Sequence, residues 1–155
     1  MKTRILLIAV ILVLQSIFAC KKDVSNPIEL VGKWGTSNEW EDGYIYHEEL
    51  NFKVDGSIEI IGSVIDLQTN TTKGYLNKEI GSYSLQGDNL VYTNMKSYRS
   101  DLPGYQKIED LQHQHTQRKS SRKLQFNSTM NEITLYYGRC NDNAVCVGPK
   151  TYLKK

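Results

Sequence analysis

Apolar and polar residues alternate along most of the chain after residue 27, the pattern of strands that are buried on one face. In Tyr44–Val54 the side chains at 44, 46, 50 and 52 are aromatic or apolar and share one face. The predicted strands are Leu30–Gly35, Tyr44–Val54, Ser57–Leu67, Gly74–Gln86, Asn89–Thr93, Arg122–Phe126, Glu132–Arg139 and Val145–Leu153. Turn dipeptides such as Asp55-Gly56 and Gly87-Asp88 separate several of them, so we expect an antiparallel meander.

The segment Asp101–Lys119 gives no single prediction. Leu102-Pro103-Gly104 indicates a loop, Ile108–Gln112 fits one or two helical turns, and the remainder fits an extended, charged segment. Helix-period segments are nearly absent after residue 27, so no helices are available for crossovers between parallel strands. We therefore predict an all-β fold, an antiparallel up-and-down β-barrel whose closure leaves no exposed sheet edge.

The segment Met1–Ala19 is predicted to be a signal peptide. Lys2 and Arg4 precede the apolar run Ile5–Leu14, whose length of about ten residues is about half of what a helix needs to span a bilayer. The following Ile17-Phe18-Ala19-Cys20 resembles the lipobox of bacterial lipoproteins. This resemblance implies cleavage before Cys20 and acylation of Cys20, with residues 20–27 as a lipidated tether and 28–155 as the barrel domain. The alternative is an ordinary secretory signal followed by an incidental cysteine.

The residues after Cys20 bear on the membrane that would hold the anchor. Lys21 follows Cys20, where some proteobacterial lipoproteins carry an Asp for inner-membrane retention, so the outer membrane is favoured. The start Cys20-Lys-Lys-Asp23 is also common among lipoproteins of Bacteroidetes-type bacteria, some of which are surface exposed. The expected location is the cell envelope, on the outer membrane, with the periplasmic and the surface face both open.

The charge of the chain argues against a nucleic-acid partner. The formal net charge is +2, and Lys2 and Arg4 of the leader account for it, because 17 basic and 17 acidic residues remain without them. A neutral domain has no electrostatic basis for binding nucleic acid.

Cys140 and Cys146 are the two cysteines that remain after Cys20 is assigned to lipid. Asn141-Asp142-Asn143 supplies turn residues between two strand-like segments, so a hairpin would place the cysteines opposite each other at a distance that a disulfide can bridge. The envelope is an oxidising compartment, which favours that disulfide. The alternative, a metal pair, lacks a full ligand set nearby.

Three short motifs resemble the lipocalin-like domains of small Bacteroidetes-type lipoproteins. They are Leu30-x-Gly32-x-Trp34, Leu50-x-Phe52-x-x-Asp55-Gly56-Ser57 and Gly81-Ser-Tyr83-Ser-Leu85-x-Gly87-Asp88-x-Leu90. The resemblance implies an up-and-down barrel, Trp34 packed across one closed end, and a cavity for a small apolar or amphipathic molecule.

Glu48 is the candidate polar group of that cavity, because it shares a strand face with Tyr44, Tyr46 and Leu50. It would be either an internal anchor for a ligand or a solvated residue near the rim, and the second interpretation is favoured. The tyrosines after residue 80 would line the cavity, stack on sugars, or serve as plain core and edge residues. They are Tyr83, Tyr92, Tyr98, Tyr136 and Tyr137.

Two further clusters have functional and ordinary interpretations. His113 and His115 would point the same way from a strand and hold a metal, but without a nearby acid or cysteine two exposed loop histidines are favoured. A basic run would contact anionic headgroups or form a solvated loop, and the solvated loop is favoured. Its members are Arg118, Lys119, Arg122 and Lys123.

No motif of a known catalytic mechanism is evident, so we expect a protein that is not an enzyme and has no cofactor. The leading hypothesis is a membrane-anchored lipoprotein that binds a small hydrophobic or amphipathic ligand inside the barrel. The alternative is an envelope interaction or inhibitor protein that acts through its loops. A cavity would favour the first hypothesis, and a barrel packed solid would favour the second.

Overall fold

The computed structural model describes residues 28–41, 43–100, 104–137 and 148–155, which form a closed antiparallel barrel of eight strands in chain order. The strands are β1 (Gly32–Glu41), β2 (Tyr44–Phe52), β3 (Ser57–Asp66), β4 (Thr71–Gln86), β5 (Asn89–Arg99), β6 (Gln112–Phe126), β7 (Glu132–Tyr136) and β8 (Lys150–Lys154). Each strand pairs with the next, and β8 pairs with β1. The prediction of an all-β, up-and-down barrel is confirmed.

Two short 3-10 turns, η1 (Ile28–Leu30) and η2 (Ile108–Asp110), accompany the strands. Within the described ranges no helix is long and apolar enough to cross a membrane. The predicted signal peptide, Cys20 with its tether, and the cysteines Cys140 and Cys146 lie outside the described residues.

Trp34 lies at the end of the barrel that is closed by side chains, which we call the closed end. The β2–β3, β4–β5 and β6–β7 turns and η1 gather there. The indole of Trp34 is fully buried, donates from Nε1 to the Leu30 carbonyl oxygen at 2.8 Å, and meets Phe126 edge-on at 6.3 Å between ring centroids. The aromatic ring and its hydrogen bond thus hold η1 against the strands.

The core fills the closed half of the barrel. Its buried members are Leu30, Trp34, Leu50, Phe52, Ile58, Ile60, Tyr83, Leu90, Tyr92, Met95, Leu124, Ile133, Leu135 and Tyr152. Alternation on the paired strands directs them inward, as at Leu50 opposite Ile60. The next inward pair along the same strands, Glu48 opposite Gly62, is polar or small. The interior therefore changes from apolar to polar along the barrel axis.

Glycines allow close packing at two interior points. A Cβ built on Gly62 would lie 2.5 Å from the Tyr46 hydroxyl, so the tyrosine occupies the space that a side chain would need. A Cβ on Gly81 would lie 2.8 Å from the carbonyl oxygen of Thr93, next to a bulge in the β4–β5 ladder. At both positions the missing side chain leaves room for an atom of a neighbouring strand to approach the glycine closely.

The structure gives the segment Asp101–Lys119 a definite form in the part that is described. Ile108–Asp110 is a single 3-10 turn, one of the two predicted lengths, and β6 then begins at Gln112. The basic residues from 118 to 123 are therefore on a strand, so the prediction of a loop is wrong, although Lys119 and Lys123 are exposed as expected of solvated residues.

Candidate functional site

A cavity of about 220 Å³ lies inside the barrel, on the side formed by β3 to β6. Its walls are Ile60, Glu79, Tyr92, Met95, Ser97, Arg99, Gln114, Ser120 and Arg122. Ile60 and Met95 are buried and apolar, whereas Arg99 is exposed at the end of β5. We call this the barrel cavity and the end at which it opens the mouth.

Two buried hydroxyl groups in the wall have no hydrogen-bond partner in the part of the chain that the structure describes. Tyr92 is 1% exposed and Ser97 is 8% exposed, and neither hydroxyl oxygen is paired among the described residues. Leaving a buried polar group unpaired costs on the order of 1–3 kcal/mol. Burial raises the pKa of Tyr92, so its hydroxyl keeps its proton and remains a donor. Both residues line the barrel cavity, so polar atoms of whatever fills it, water or ligand, are the available partners for these hydroxyls.

Arg122 is the most firmly positioned charge in the cavity wall. Its guanidinium carbon lies 4.3 Å from the ring centroid of Tyr137 and 5.3 Å from that of Tyr92. Its Nη1 donates to the Tyr137 hydroxyl at 3.2 Å. Stacking on aromatic faces and a hydrogen bond fix the planar group, and most of its N–H donors stay available.

The other charges of the wall are Glu79 and Arg99. Within the described ranges, neither of them, nor Arg122, forms an ion pair. Oppositely charged groups that face one cavity without pairing can each bind a complementary group of a ligand.

A second polar cluster inside the barrel is already satisfied. The Glu48 carboxylate accepts from the hydroxyl of Tyr46 at 3.0 Å and of Tyr152 at 2.5 Å, and from Lys150 Nζ at 3.3 Å. Burial and the nearby Glu48 charge raise the pKa of both tyrosines, so they donate. The Glu48 side chain is 12% exposed, so the favoured interpretation of a solvated rim residue is wrong. No register shift separates β2 from β3 to turn Glu48 outward.

The structure places the predicted ligand-binding residues in different surroundings. Of the five, Tyr92 lines the barrel cavity, and Tyr46 and Glu48 belong to the satisfied cluster beside it. Tyr83 is buried against Phe52 at 4.9 Å between ring centroids and donates to the Lys53 carbonyl oxygen, at the closed end. Tyr44 lies at the far end of β2 opposite Asp66, outside the cavity wall.

Sequence reasoning missed Arg122 as a cavity residue, although a signal for it was present. Leu124 and Phe126 are two and four residues further along the same predicted strand, and alternation places all three on one face. This alternation was overlooked because Arg122 was grouped with its basic neighbours. Lys123, its neighbour, points outward and pairs with Asp88 at 3.4 Å.

A loop folds over part of the mouth. Gln106 exchanges backbone hydrogen bonds with Tyr75 of β4 at 2.7 and 2.9 Å, and the Tyr105 ring lies 6.3 Å from that of Trp40 on β1. Because β1 and β4 are three strands apart in the barrel, this loop spans the opening between them.

Two other features do not form a comparable site. The ring of His113 on β6 lies 5.2 Å from that of Tyr98 on β5, and no group of three or more potential metal ligands occurs in the part of the chain that the structure describes. A depression of about 370 Å³ on the outside of β3 to β5 is lined by Lys53, Glu59 and Lys96 among others. The unpartnered buried hydroxyls both belong to the barrel cavity and not to this depression.

Fold and site together define a class, an eight-stranded up-and-down β-barrel with a partly polar internal cavity. Comparison of the chain with protein-family models, with curated proteins and with solved structures gave no match.

Proposed function

We propose that this chain is a lipid-anchored binding protein of the cell envelope whose barrel holds a small amphipathic molecule without catalysing a reaction. The observation that carries the proposal is the barrel cavity with its two buried, unpartnered hydroxyls, Tyr92 and Ser97. A small molecule with polar atoms that fills this cavity can supply the hydrogen bonds that these two groups lack.

The wall composition favours an amphipathic ligand over a purely hydrophobic one. Ile60 and Met95 offer apolar contact, while arginine, glutamate, glutamine and hydroxyl side chains make up most of the remaining wall. A purely apolar ligand would leave these polar groups desolvated and unpaired. The volume of about 220 Å³ lies below the range of about 300–1,000 Å³ for drug-sized ligands, so the ligand is small.

The anchoring part of the proposal depends on the sequence. The charged start, the short apolar run and the lipobox-like Ile17-Phe18-Ala19-Cys20 support export and lipidation at Cys20. The three lipocalin-like motifs, now together with an eight-stranded barrel, support a lipocalin-like domain of a Bacteroidetes-type outer-membrane lipoprotein. The competing idea, an interaction protein with a solid barrel, is not favoured because the barrel encloses a cavity.

The first experiment is native mass spectrometry on residues 25–155 produced in a bacterial periplasm, followed by organic extraction of anything bound. We expect a reproducible small-molecule mass that denaturation releases. A Ser97→Leu variant, which places a larger side chain in the barrel cavity, should lose that mass. Ser121→Leu makes the same change on an exposed residue of β6 and should keep it.

A clean apo mass would contradict the binding proposal if it persists after lipids, haem and sterol-like compounds are added. Retention of the released molecule by Ser97→Leu would place its binding site outside the barrel cavity.

A further inference from the structure

Hydrogen-bond donors outnumber acceptors around the barrel cavity. The hydroxyls of Tyr92 and Ser97 are buried and have no partner among the described residues, and the guanidinium of Arg122 has five N–H groups, of which one is used by Tyr137. Among the lining side chains that the structure describes, the acceptors that stand against these donors are the carboxylate of Glu79 and the amide oxygen of Gln114. The complementary ligand surface is therefore rich in acceptors.

The charge of the wall sets the charge of the ligand. Among the lining side chains that the structure describes, Arg99 and Arg122 are cationic and Glu79 is anionic, so one positive charge is in excess. A group with one negative charge balances this excess. A phosphate monoester, which carries about −1.5 to −2 at neutral pH, would meet repulsion from Glu79.

Arg122 is the group best prepared to receive that charge. Its stacking on Tyr137 and Tyr92 limits its motion before any ligand arrives, so little conformational entropy is lost on binding. Arg99 is exposed at the mouth, where water screens its charge. A planar carboxylate matches the fork of a guanidinium and accepts two parallel hydrogen bonds.

Given the proposed binding function, we infer that the ligand is a small monocarboxylate. Its carboxylate is bound by Arg122 with the help of the Tyr92 and Ser97 hydroxyls, and its apolar body lies against Ile60 and Met95. Glu79 is then free to accept a hydrogen bond from a hydroxyl or amine on the same molecule.

The test uses the full chain, purified in a mild detergent and dialysed, with binding measured by titration calorimetry. The probes are hexanoate, benzoate, their uncharged amides, and hexyl phosphate. We expect at least one acid to bind about tenfold or more tighter than its amide, because hydrogen bonds to a charged group are the stronger kind. Hexyl phosphate should bind no tighter than hexanoate.

Two variants test whether Arg122 is the residue that binds the carboxylate of the ligand. Arg122→Gln should reduce the ratio of acid to amide affinity to about one, whereas Lys123→Gln makes a comparable change on the outward neighbour and should leave the ratio unchanged. Circular dichroism establishes whether each variant is folded. If Arg122→Gln does not fold, the acid-to-amide ratio of the unaltered chain decides the question alone.

The outcomes separate this inference from the proposed function. Equal affinity for acids and amides, a preference for hexyl phosphate, or release of a neutral molecule from the purified protein would overturn the monocarboxylate assignment and leave the binding function in place. Failure of every probe, together with no released molecule, would overturn both.

Discussion

Single residues inside this barrel show two states of a buried polar group. The Glu48 carboxylate accepts from three side chains, whereas the hydroxyls of Tyr92 and Ser97 have no partner among the described residues. The hydrogen bonds of a completed cluster are made within the protein, whereas those of an incomplete one depend on water or on a ligand. The two clusters should therefore respond differently to mutation.

Glu48→Leu should lower the free energy of unfolding by about 2 kcal/mol, because the hydroxyl of Tyr152 and the ammonium of Lys150 lose a charged acceptor. The loss should be moderate because the Lys150 side chain, 26% exposed, still reaches water. Urea unfolding of the variant and of the unaltered protein measures this difference in unfolding free energy.

The double variant Glu48→Leu with Lys150→Met serves as the control for the ion pair. It should be more stable than the sum of the two single changes predicts, because no unpaired charge is left inside. Strict additivity would show that Glu48 and Lys150 do not interact in solution.

His47 on the outer face of β2 makes stability depend on pH. Its Nδ1 lies 2.8 Å from the Ser37 hydroxyl and its Nε2 lies 2.7 Å from Lys155 Nζ. Partial burial, and then the Lys155 charge, hold the pKa of His47 below the ordinary value of 6.5. The unfolded chain therefore binds this proton more tightly, so stability should decrease as the pH falls through 6.5.

Urea unfolding at pH 7.5 and at pH 5.5 tests this dependence, because few carboxylates titrate between those values. The decrease in unfolding free energy should be smaller in His47→Gln, which cannot titrate. It should also be smaller in Lys155→Met, which lacks the cation that opposes protonation. An equal decrease in the unaltered protein and in His47→Gln would contradict the role of His47.

At the scale of strands, alternation located the elements wherever the interior is apolar. The β2–β3 hairpin was predicted from Asp55-Gly56 and is confirmed, with Gly56 at a φ of 80° and the Asp55 carboxylate accepting from the Ser57 amide at 2.9 Å. Apolar residues such as Phe52 and Ile58 face the core on either side of that turn. Turn chemistry and burial agreed there, so the sequence pattern was sufficient.

The pattern failed on strands that line the polar half of the barrel. β5 was predicted to end at Thr93 but continues to Arg99. The continuation was not predicted because a bulge at Asn94, whose φ is 54°, interrupts the alternation, so that both Tyr92 and Met95 face inward. β6 was missed before residue 122 because its inward residues there include Gln114 and Ser120. A period of apolar residues cannot reveal a strand whose inner face is polar.

The polar inner faces of these strands are also the reason why most of the candidate site was not predicted. Tyr92 was predicted because aromatic residues are typical of cavity walls, and Arg122 was noticed only as a charge. Ser97 and Gln114 lie beside Tyr92 and Arg122 because of the register between β5 and β6. That register cannot be derived from a single sequence.

The barrel as a whole has two unlike ends. η1 is attached to the closed end through the Leu30 carbonyl oxygen, and Lys154 Nζ donates to the Glu29 carbonyl oxygen at 3.2 Å. The eight peptide steps from Cys20 to Ile28 reach at most about 28 Å. If Cys20 carries lipid, the closed end stays near the membrane and the attachment leaves the mouth of the barrel cavity free.

Replacement of Cys20 tests this arrangement of the whole molecule. The full chain, expressed in a bacterium with a lipoprotein-processing pathway, should partition into the detergent phase, because two or three acyl chains bind a micelle stably. Cys20→Ala should remain in the aqueous phase. The double variant Cys140→Ala with Cys146→Ala should still enter detergent, because it keeps the lipid acceptor. If the unaltered chain stays in the aqueous phase, its leader is an ordinary secretory signal and Cys20 is not an anchor.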